Sequence, residues 1–453
     1  MKRFLVVLLI VCLGVSSVFA NGTTEQAAAP AEQKSVGPID VYWWTHWSGS
    51  MADPLVKQME AFNKSQSKYV VHYVYQGTSL DVLAKLQSTQ KKDLPAVFTG
   101  PVEYTGYYAG CDFVIPIQDF IDKDHWDTPA LFKISQASYS NLDGRLVGYP
   151  AGNSFPGMFV NLDMFKKAGI DPYTSLDNFQ DVFKTVKTIV DKGISKVGIG
   201  FHNDAYWIAM TLSTQGVPSF DNNDGFSGKP TKCIYNQGKT KEAVYDLLKA
   251  LHDIYAGGYG IPYGANINNE LIPRFASGEF PVLLVTTGFF AKIKAANPKF
   301  EYTLLPLPGC DVNRAHDGVP AGGCGWFICD NGNKAAQQGA YEFAKFMSDI
   351  HNNATWAMST GYLPQTQAAV ETTEYQDFIK NVYPSAKMAL DVQKKSTGSI
   401  RNPFIPIANE HKQANDIMLT QVTTNPNADI NKVIDDATAR LTDAIQLYNS
   451  SSK

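Results

Sequence analysis

Three tryptophans and a histidine fall within five positions of "VYWWTHWSGS" (41–50), interleaved with Thr45, Ser48 and Ser50. Indole faces stack on the C–H faces of sugars and polyols, and neighbouring hydroxyls take the solute's own hydroxyls as hydrogen-bond partners. Four later stretches repeat the same mixture of rings, hydroxyls and glycine: "TGPVEYTGYY" (99–108), "PAGNSFPG" (150–157), "TTGFF" (286–290) and "PAGGCGW" (320–326). A few placed polar groups among apolar walls is the usual design of a small-molecule pocket. Core packing claims about half of such rings on general grounds. Glycines such as Gly322 and Gly323 suit either a tight turn or a close approach of main chain to ligand.

Covalent chemistry has less to work with. The sequence holds no GxxxxGK[ST] phosphate loop, no GxSxG nucleophile elbow and no HExxH zinc pair, and "GNSFPG" misses the elbow by one residue. Eight histidines are scattered along the chain; His46 and His202 are candidate cleft groups, although an isolated histidine among rings is more often structural. A glycoside hydrolase needs two carboxylates facing each other across the bond, about 5–10 Å apart. Glu103 and Asp53 are the candidates for that alternative, a secreted carbohydrate-active hydrolase. A surface protein without a small ligand is a third reading. Binding without chemistry, and without metal or other cofactor, is the favoured one.

The ring-bearing turns need elements to hold them at one place. Residues 40–44 read as a strand ending at about Trp44, "DPLVKQMEAFNKSQSKY" (53–69) as a helix, and "VVHYVYQG" (70–77) as a strand. A helix over 79–93 and a short buried strand over 94–100 follow. That βαβαβ rhythm implies a parallel or mixed sheet covered by helices. A second series starts near "LVGYPAG" (146–152), with a strand and helix in 157–171 closed by Gly169, a helix over 178–193 and a strand over 195–201. The long helix 240–258, the buried strand 280–290 and an amphipathic tail helix over 429–450 complete it. Open α/β sheets bind ligands at the carboxyl ends of their strands, where the aromatic turns lie. Their wide separation in sequence predicts a site assembled from two lobes.

Lys2 and Arg3, the apolar "FLVVLLIVCLGV" and the small-residue "SVFA" have the layout of a secretory signal peptide, residues 1–20, cut after Ala20. "NGTTEQAAAPAEQKSVG" (21–37) reads as a flexible tether. Acylation of Cys12 is the lesser reading, because Val11 is larger than the small residue such a site wants. The product is expected to be periplasmic or otherwise extracytoplasmic. Without Lys2 and Arg3, 37 basic face 43 acidic residues, a formal charge of −6; a nucleic-acid partner would demand a basic surface. Cys111, Cys233, Cys310, Cys324 and Cys329 are too dispersed for a disulfide scaffold. They read as small buried residues, with room for one disulfide and at least one free thiol.

Six stretches also carry a resemblance. "YWWTHWSG", "DLPAVFTG", "GRLVGYPAGNSFPGMFVNLDMFKKAGIDP", "FASGEFPVLLVTTG", "YEFAKFMSD" and "MSTGYLPQTQAAVE" resemble, in order, segments of the extracytoplasmic solute-binding proteins of bacterial ABC importers, in the group that takes sugars and glycerol-3-phosphate. The resemblance implies a two-lobe α/β periplasmic-binding-protein fold, maltose-binding-protein-like, working as a hinged clamp. It places an N-lobe at about 38–150 and 322–362 and a C-lobe at about 151–321 and 363–453. It implies a monomer that captures a sugar, polyol or glycerol phosphate and docks on membrane permease subunits. Carried over position by position, Trp44, Ser154, Trp207, Thr286, Thr287, Gly323 and Tyr362 are implied ligand contacts, with Arg401 in "SIRNPF" the cation facing phosphate. Ser79 stands where the relatives have a tyrosine, and Glu103 stands one place out of register with their acidic residue. The ligand thus stays open among glycerol-3-phosphate, a phosphodiester and a mono- or oligosaccharide.

Overall fold

A computed structural model describes residues 37–202, 206–309 and 318–451. The leader, Cys12, nearly all of the tether and Cys310 lie outside the described residues. Cys111, Cys233, Cys324 and Cys329 are all free thiols.

Among the described residues, ten strands form two sheets. In chain order they are β1 (Ile39–Thr45), β2 (Tyr69–Tyr75), β3 (Val97–Pro101), β4 (Val114–Ile115), β5 (Tyr149–Ser154), β6 (Pro156–Asn161), β7 (Ile199–Phe201), β8 (Val282–Thr286), β9 (Tyr302–Pro306) and β10 (Gly322–Cys329). The first sheet runs β2-β1-β3-β10-β4, with β5 also paired to β10; the second runs β7-β8-β6-β9. β1 is parallel to β2 and β3, whereas β10 is antiparallel to β3, β4 and β5. β6 is antiparallel to β8 and β9, and β7 is parallel to β8. The expected mixed sheets are present, each covered by helices.

Local chemistry explains the elements that carry the site. β1 alternates, burying Val41, Trp43 and Thr45 while Tyr42 stays exposed. The helix Asp53–Ser65 has proline in its first turn and buries Leu55, Met59 and Phe62 at helical spacing. Ser79 opens the helix Ser79–Ser88 behind a capping box: the Thr78 side chain accepts from Asp81 N–H, and the Asp81 carboxylate accepts from Thr78 N–H. Gly169 closes the helix Leu162–Ala168 at φ 68°, the left-handed C-cap its sequence suggested.

Each sheet has its own core. Trp43, Trp326, Phe343, Phe98 and Phe327 pack around the first. The helices Phe179–Asp191, Gly238–Ala256, Ala408–Thr424 and Ile430–Ser451 pack on one side of the second. Phe159, Leu283 and Val285 cover its other side together with Ala354, Ala357 and Leu390. The chain passes between the sheets at Phe155, the one residue separating β5 from β6. It returns from β9 to β10, and comes back to the second sheet with the helix Ile350–Thr360, whose Ala354 and Ala357 pack there. Asn353 ties that last crossing down, donating to Ala151 O (2.9 Å) and accepting from Gln365 N–H (2.8 Å).

Candidate functional site

A cavity of about 390 Å³ opens where the two sheets face each other. The first sheet brings the turn after β1, the end of β3, Ser154 at the end of β5 and Gly322–Cys324 at the start of β10. The second brings His202 after β7 and Thr286, Gly288 and Phe289 at the end of β8. Parallel and mixed sheets put ligand sites at strand carboxyl ends; β3, β5 and β8 reach the cavity in that way, and antiparallel β10 reaches it by its start.

The opening turn is held rigidly. Thr45 Oγ1 accepts from Trp47 N–H (3.2 Å) and from Thr99 Oγ1 (2.6 Å), and Tyr73 OH donates to Trp47 O (2.7 Å). This fixes His46 and Trp47 against the cavity. Trp47, Trp356 and Tyr362 form one aromatic cluster, with ring centroids 5.1 Å apart (Trp47–Trp356), 4.7 Å (Trp356–Tyr362) and 6.2 Å (Trp47–Tyr362). Trp47 and Tyr362 reach the wall; Trp356 backs them. His46 Nε2 lies 3.6 Å from the Cys324 thiol. Burial pushes the His46 pKa down to about 4; hydrogen bonding at the Thr99 main chain opposes this, and the Lys412 charge adds to it. The imidazole is therefore neutral at pH 7. Burial also raises Cys324 well above the ordinary thiol range, so it stays protonated.

Glycine is required at one wall position, Gly323, and the neighbouring Gly322 leaves little room for a Cβ. A Cβ on Gly323, whose φ is +114°, would sit 2.1 Å from Gly152 O; one on Gly322 would meet Ser154 Oγ and Tyr206 OH at 3.0 Å. Tyr206 OH donates to Ala321 O (2.7 Å), bracing this edge from the second sheet's side.

The charged wall residues are Glu103, Lys292 and Lys412 among the described residues. Glu103 and Lys412 also border a small chamber behind the cleft, with Asn402, His411 and Asn415. Lys292, in the helix Phe290–Ala295, donates to Asn268 Oδ1 (2.8 Å) and lies 5.5 Å above the Phe289 ring. Burial lowers its pKa. Asp53, the second carboxylate of the hydrolase reading, is the first residue of its helix and is not on the wall.

Six of the ten sequence candidates meet at this cavity: Ser79, Glu103, Ser154, Thr286, Gly323 and Tyr362. Four stand elsewhere. Trp44 is half-buried against the first sheet's core. Trp207 is 1 % exposed, packs 5.4 Å from Phe201 and donates from Nε1 to His202 O (2.8 Å), so its face is used up inside the second core. Thr287 sits one layer behind the wall, where its Oγ1 accepts from Phe155 N–H (3.2 Å) and splices β8 to the crossing. Arg401 lies 3.7 Å over the Phe226 ring and donates to Ala137 O (3.3 Å), in a separate crevice. A planar guanidinium stacks on an aromatic face readily. The residues that motif reading did not single out are Asn268, Lys292, Tyr206 and Lys412. They sit on helices without a motif; the one available signal is the position of Lys292, two residues beyond the hydroxyl-rich turn "TTGFF".

The fold recurs in solved structures. UgpB from Mycobacterium tuberculosis in complex with glycerophosphocholine superposes with a TM-score of 0.72 at 19 % identity, covering 91 % of this chain and 99 % of that one. An ABC substrate-binding protein from Listeria monocytogenes in complex with cycloalternan gives 0.72 at 18 %, with the same coverage. Thermus thermophilus maltotriose-binding protein gives 0.68 at 18 %, covering 89 % and 100 %. The architecture is thus the two-lobe, maltose-binding-protein-like α/β fold. In sequence, the chain is 25 % identical over 375 residues to the sn-glycerol-3-phosphate-binding periplasmic protein UgpB of Rhizobium meliloti, covering 81 % of this chain and 82 % of the relative. The Brucella suis protein of the same name is 26 % identical over 373 residues, covering 80 % and 82 %. Residues 57–381 match the model of the bacterial extracellular solute-binding proteins, and the chain belongs to that family.

Proposed function

We propose that this protein is the substrate-binding component of an ABC importer, capturing a sugar or glycerol-phosphate-type polyol between two lobes and delivering it to a membrane permease. The observation that carries this reading is the cavity itself: about 390 Å³, built from strand ends of both sheets, with Trp47 and Tyr362 beside Ser79, Ser154 and Thr286. Rings and hydroxyls in that arrangement hold a polyol by stacking and hydrogen bonding. The lobes are 38–150 with 322–362, and 151–321 with 363–453, closing as a hinge driven by the solute's preference for the closed form. Ser79, Glu103, Ser154, Thr286, Gly323 and Tyr362 are the contacts, and His46 and Trp47 join them. The protein binds without chemical conversion, works as a monomer, and reaches the extracytoplasmic space through a signal peptide cut after Ala20. The names of the Rhizobium and Brucella relatives and the ligands of the solved neighbours support the solute class.

A thermal-shift screen of sugars, glycerol phosphates and phosphodiesters tests this, because a solute that binds the native state raises the melting point by mass action. A hit confirmed by calorimetry should weaken in Ser154→Ala and Tyr362→Ala. No stabilising solute, or a hit indifferent to both variants, would remove the cleft from consideration. Release of reducing sugar from a polysaccharide, abolished by Glu103→Gln, would favour the hydrolase.

A further inference from the structure

Lys292 stands out on the cavity wall because it is a partly buried cation with no carboxylate in ion-pair distance among the described residues. Its hydrogen-bond partner is the neutral Asn268 amide oxygen, 2.8 Å away, which occupies one of three N–H donors. Burying an ammonium without a counter-charge is costly, and burial already lowers this one's pKa. A hydrophobic stem would line the wall without that cost.

We propose that the captured solute carries an oxyanion, phosphate or carboxylate, and that Lys292 is the residue that selects for it. The inference rests on the cleft reading given above and narrows it. Arg401, the cation that the resemblance implied for this role, is stacked on Phe226 outside the cleft. Glu103 would repel an anion, but it belongs to the part of the wall shared with the rear chamber, which Lys292 does not border. The oxyanion goes to Lys292 and Asn268, and the rest of the solute extends toward the part of the wall where Glu103 and Lys412 stand together. Neutral His46 adds no competing positive charge at the β1 turn. Ser154 and Thr286 also line the wall and offer hydroxyls to such a solute.

The test is calorimetric titration of the purified full chain with glycerol 3-phosphate, glycerophosphocholine and glycerate, and with glycerol and maltose as neutral probes. One or more of the three oxyanion probes should bind, and the neutral probes should bind at least tenfold more weakly. The three arms separate monoester, diester and carboxylate as the source of the charge. Lys292→Met should weaken the oxyanion probe at least tenfold with no drop in melting temperature, and Lys292→Arg should recover part of the loss. Lys292→Gln, which keeps a hydrogen-bond donor but no charge, should behave like Lys292→Met. Tight binding of maltose with unchanged affinity in Lys292→Met overturns the oxyanion assignment and leaves the cleft reading standing. Binding of no probe, charged or neutral, overturns both.

Discussion

Gly288 offers a way to ask whether the two lobes move against each other. It lies in the turn after β8, and a Cβ built on it would stand 2.8 Å from Tyr362 Cε2 and 3.3 Å from Cδ2 and Cζ. Its backbone is compatible with alanine, so Gly288→Ala acts through this contact alone. Restoring an ordinary 3.4 Å from 2.8 Å needs a displacement of about 0.6 Å (3.4 − 2.8). The Tyr362 ring cannot yield easily, because it packs at a tilt on Trp356 at 4.7 Å and the Tyr362 main-chain N–H donates to Thr360 Oγ1 at 3.2 Å. Overpacking of this kind costs about 1–3 kcal/mol. The proposed division puts Gly288 on the C-lobe and Tyr362 on the N-lobe, and under it the penalty belongs to the form in which the two touch. At about 1.4 kcal/mol per decade, affinity should fall roughly 5- to 150-fold. Urea unfolding of the solute-free variant should match the parent, since the open form does not feel the methyl. Titration with the best solute and unfolding without it measure the two quantities separately. Unchanged affinity with a lowered unfolding midpoint would refute the reasoning, because the contact would then belong to a rigid wall.

Trp207→Ala should destabilise the protein by about 3–5 kcal/mol in urea unfolding, as a fully packed core tryptophan does, whereas Arg401→Ala should leave solute affinity unchanged in calorimetry; a binding loss confined to either variant contradicts their placement. Burial lowers both His46 and His411 from 6.5 to about 4. The unfolded chain therefore takes up these protons first, and their stability contribution is complete above about pH 6.5 and declines toward pH 4. Melting temperature against pH should fall across that window, and less steeply in His411→Gln; parallel profiles would exclude the assignment. Asp224 works with the opposite sign: burial raises it from 3.8 to about 7, with the Phe220 and Ser219 N–H groups pulling the other way. Its contribution is complete below pH 3.8 and is lost as pH rises to about 7. Both N–H groups donate to Asp224 Oδ1, at 2.7 and 2.8 Å, which asparagine can supply. Asp224→Asn should gain melting temperature over the parent between pH 5 and 8, and an unchanged difference would contradict the shift.

Much of the framework was readable in the residues. The strand expected over 40–44 is Ile39–Thr45, the helix over 178–193 is Phe179–Asp191, and the tail helix over 429–450 is Ile430–Ser451. Those segments have strong period-2 or period-3.6 patterns and clear caps. β10 was not readable as a strand. "GGCGWFIC" starts with three glycines in four residues, which β-propensity counts against, yet each fits a close approach: Gly325 lies where a Cβ would be 2.5 Å from the Tyr139 ring. The site divides along the same line. Ser154 and Thr286 end strands and Tyr362 follows a helix, each in or beside a short stretch whose composition marks it. Trp207 shows the limit, because "DAYWIA" does not say which helix face meets the core. Lys412 reaches the wall only through tertiary packing, which no local pattern encodes, and Lys292 is signalled only by its place just beyond "TTGFF".

The position of β10 in the chain also governs the order of assembly. A ribosome delivers β1 to β5 first, but the strand that lies between β3 and the β4/β5 side of their sheet arrives only with residues 322–329. Until then β3 has an open edge and β5 has no neighbour in its own sheet. Every nascent fragment shorter than about three-quarters of the polypeptide is thus denied a finished first half, so the first sheet closes only through a long-range pairing made late in synthesis.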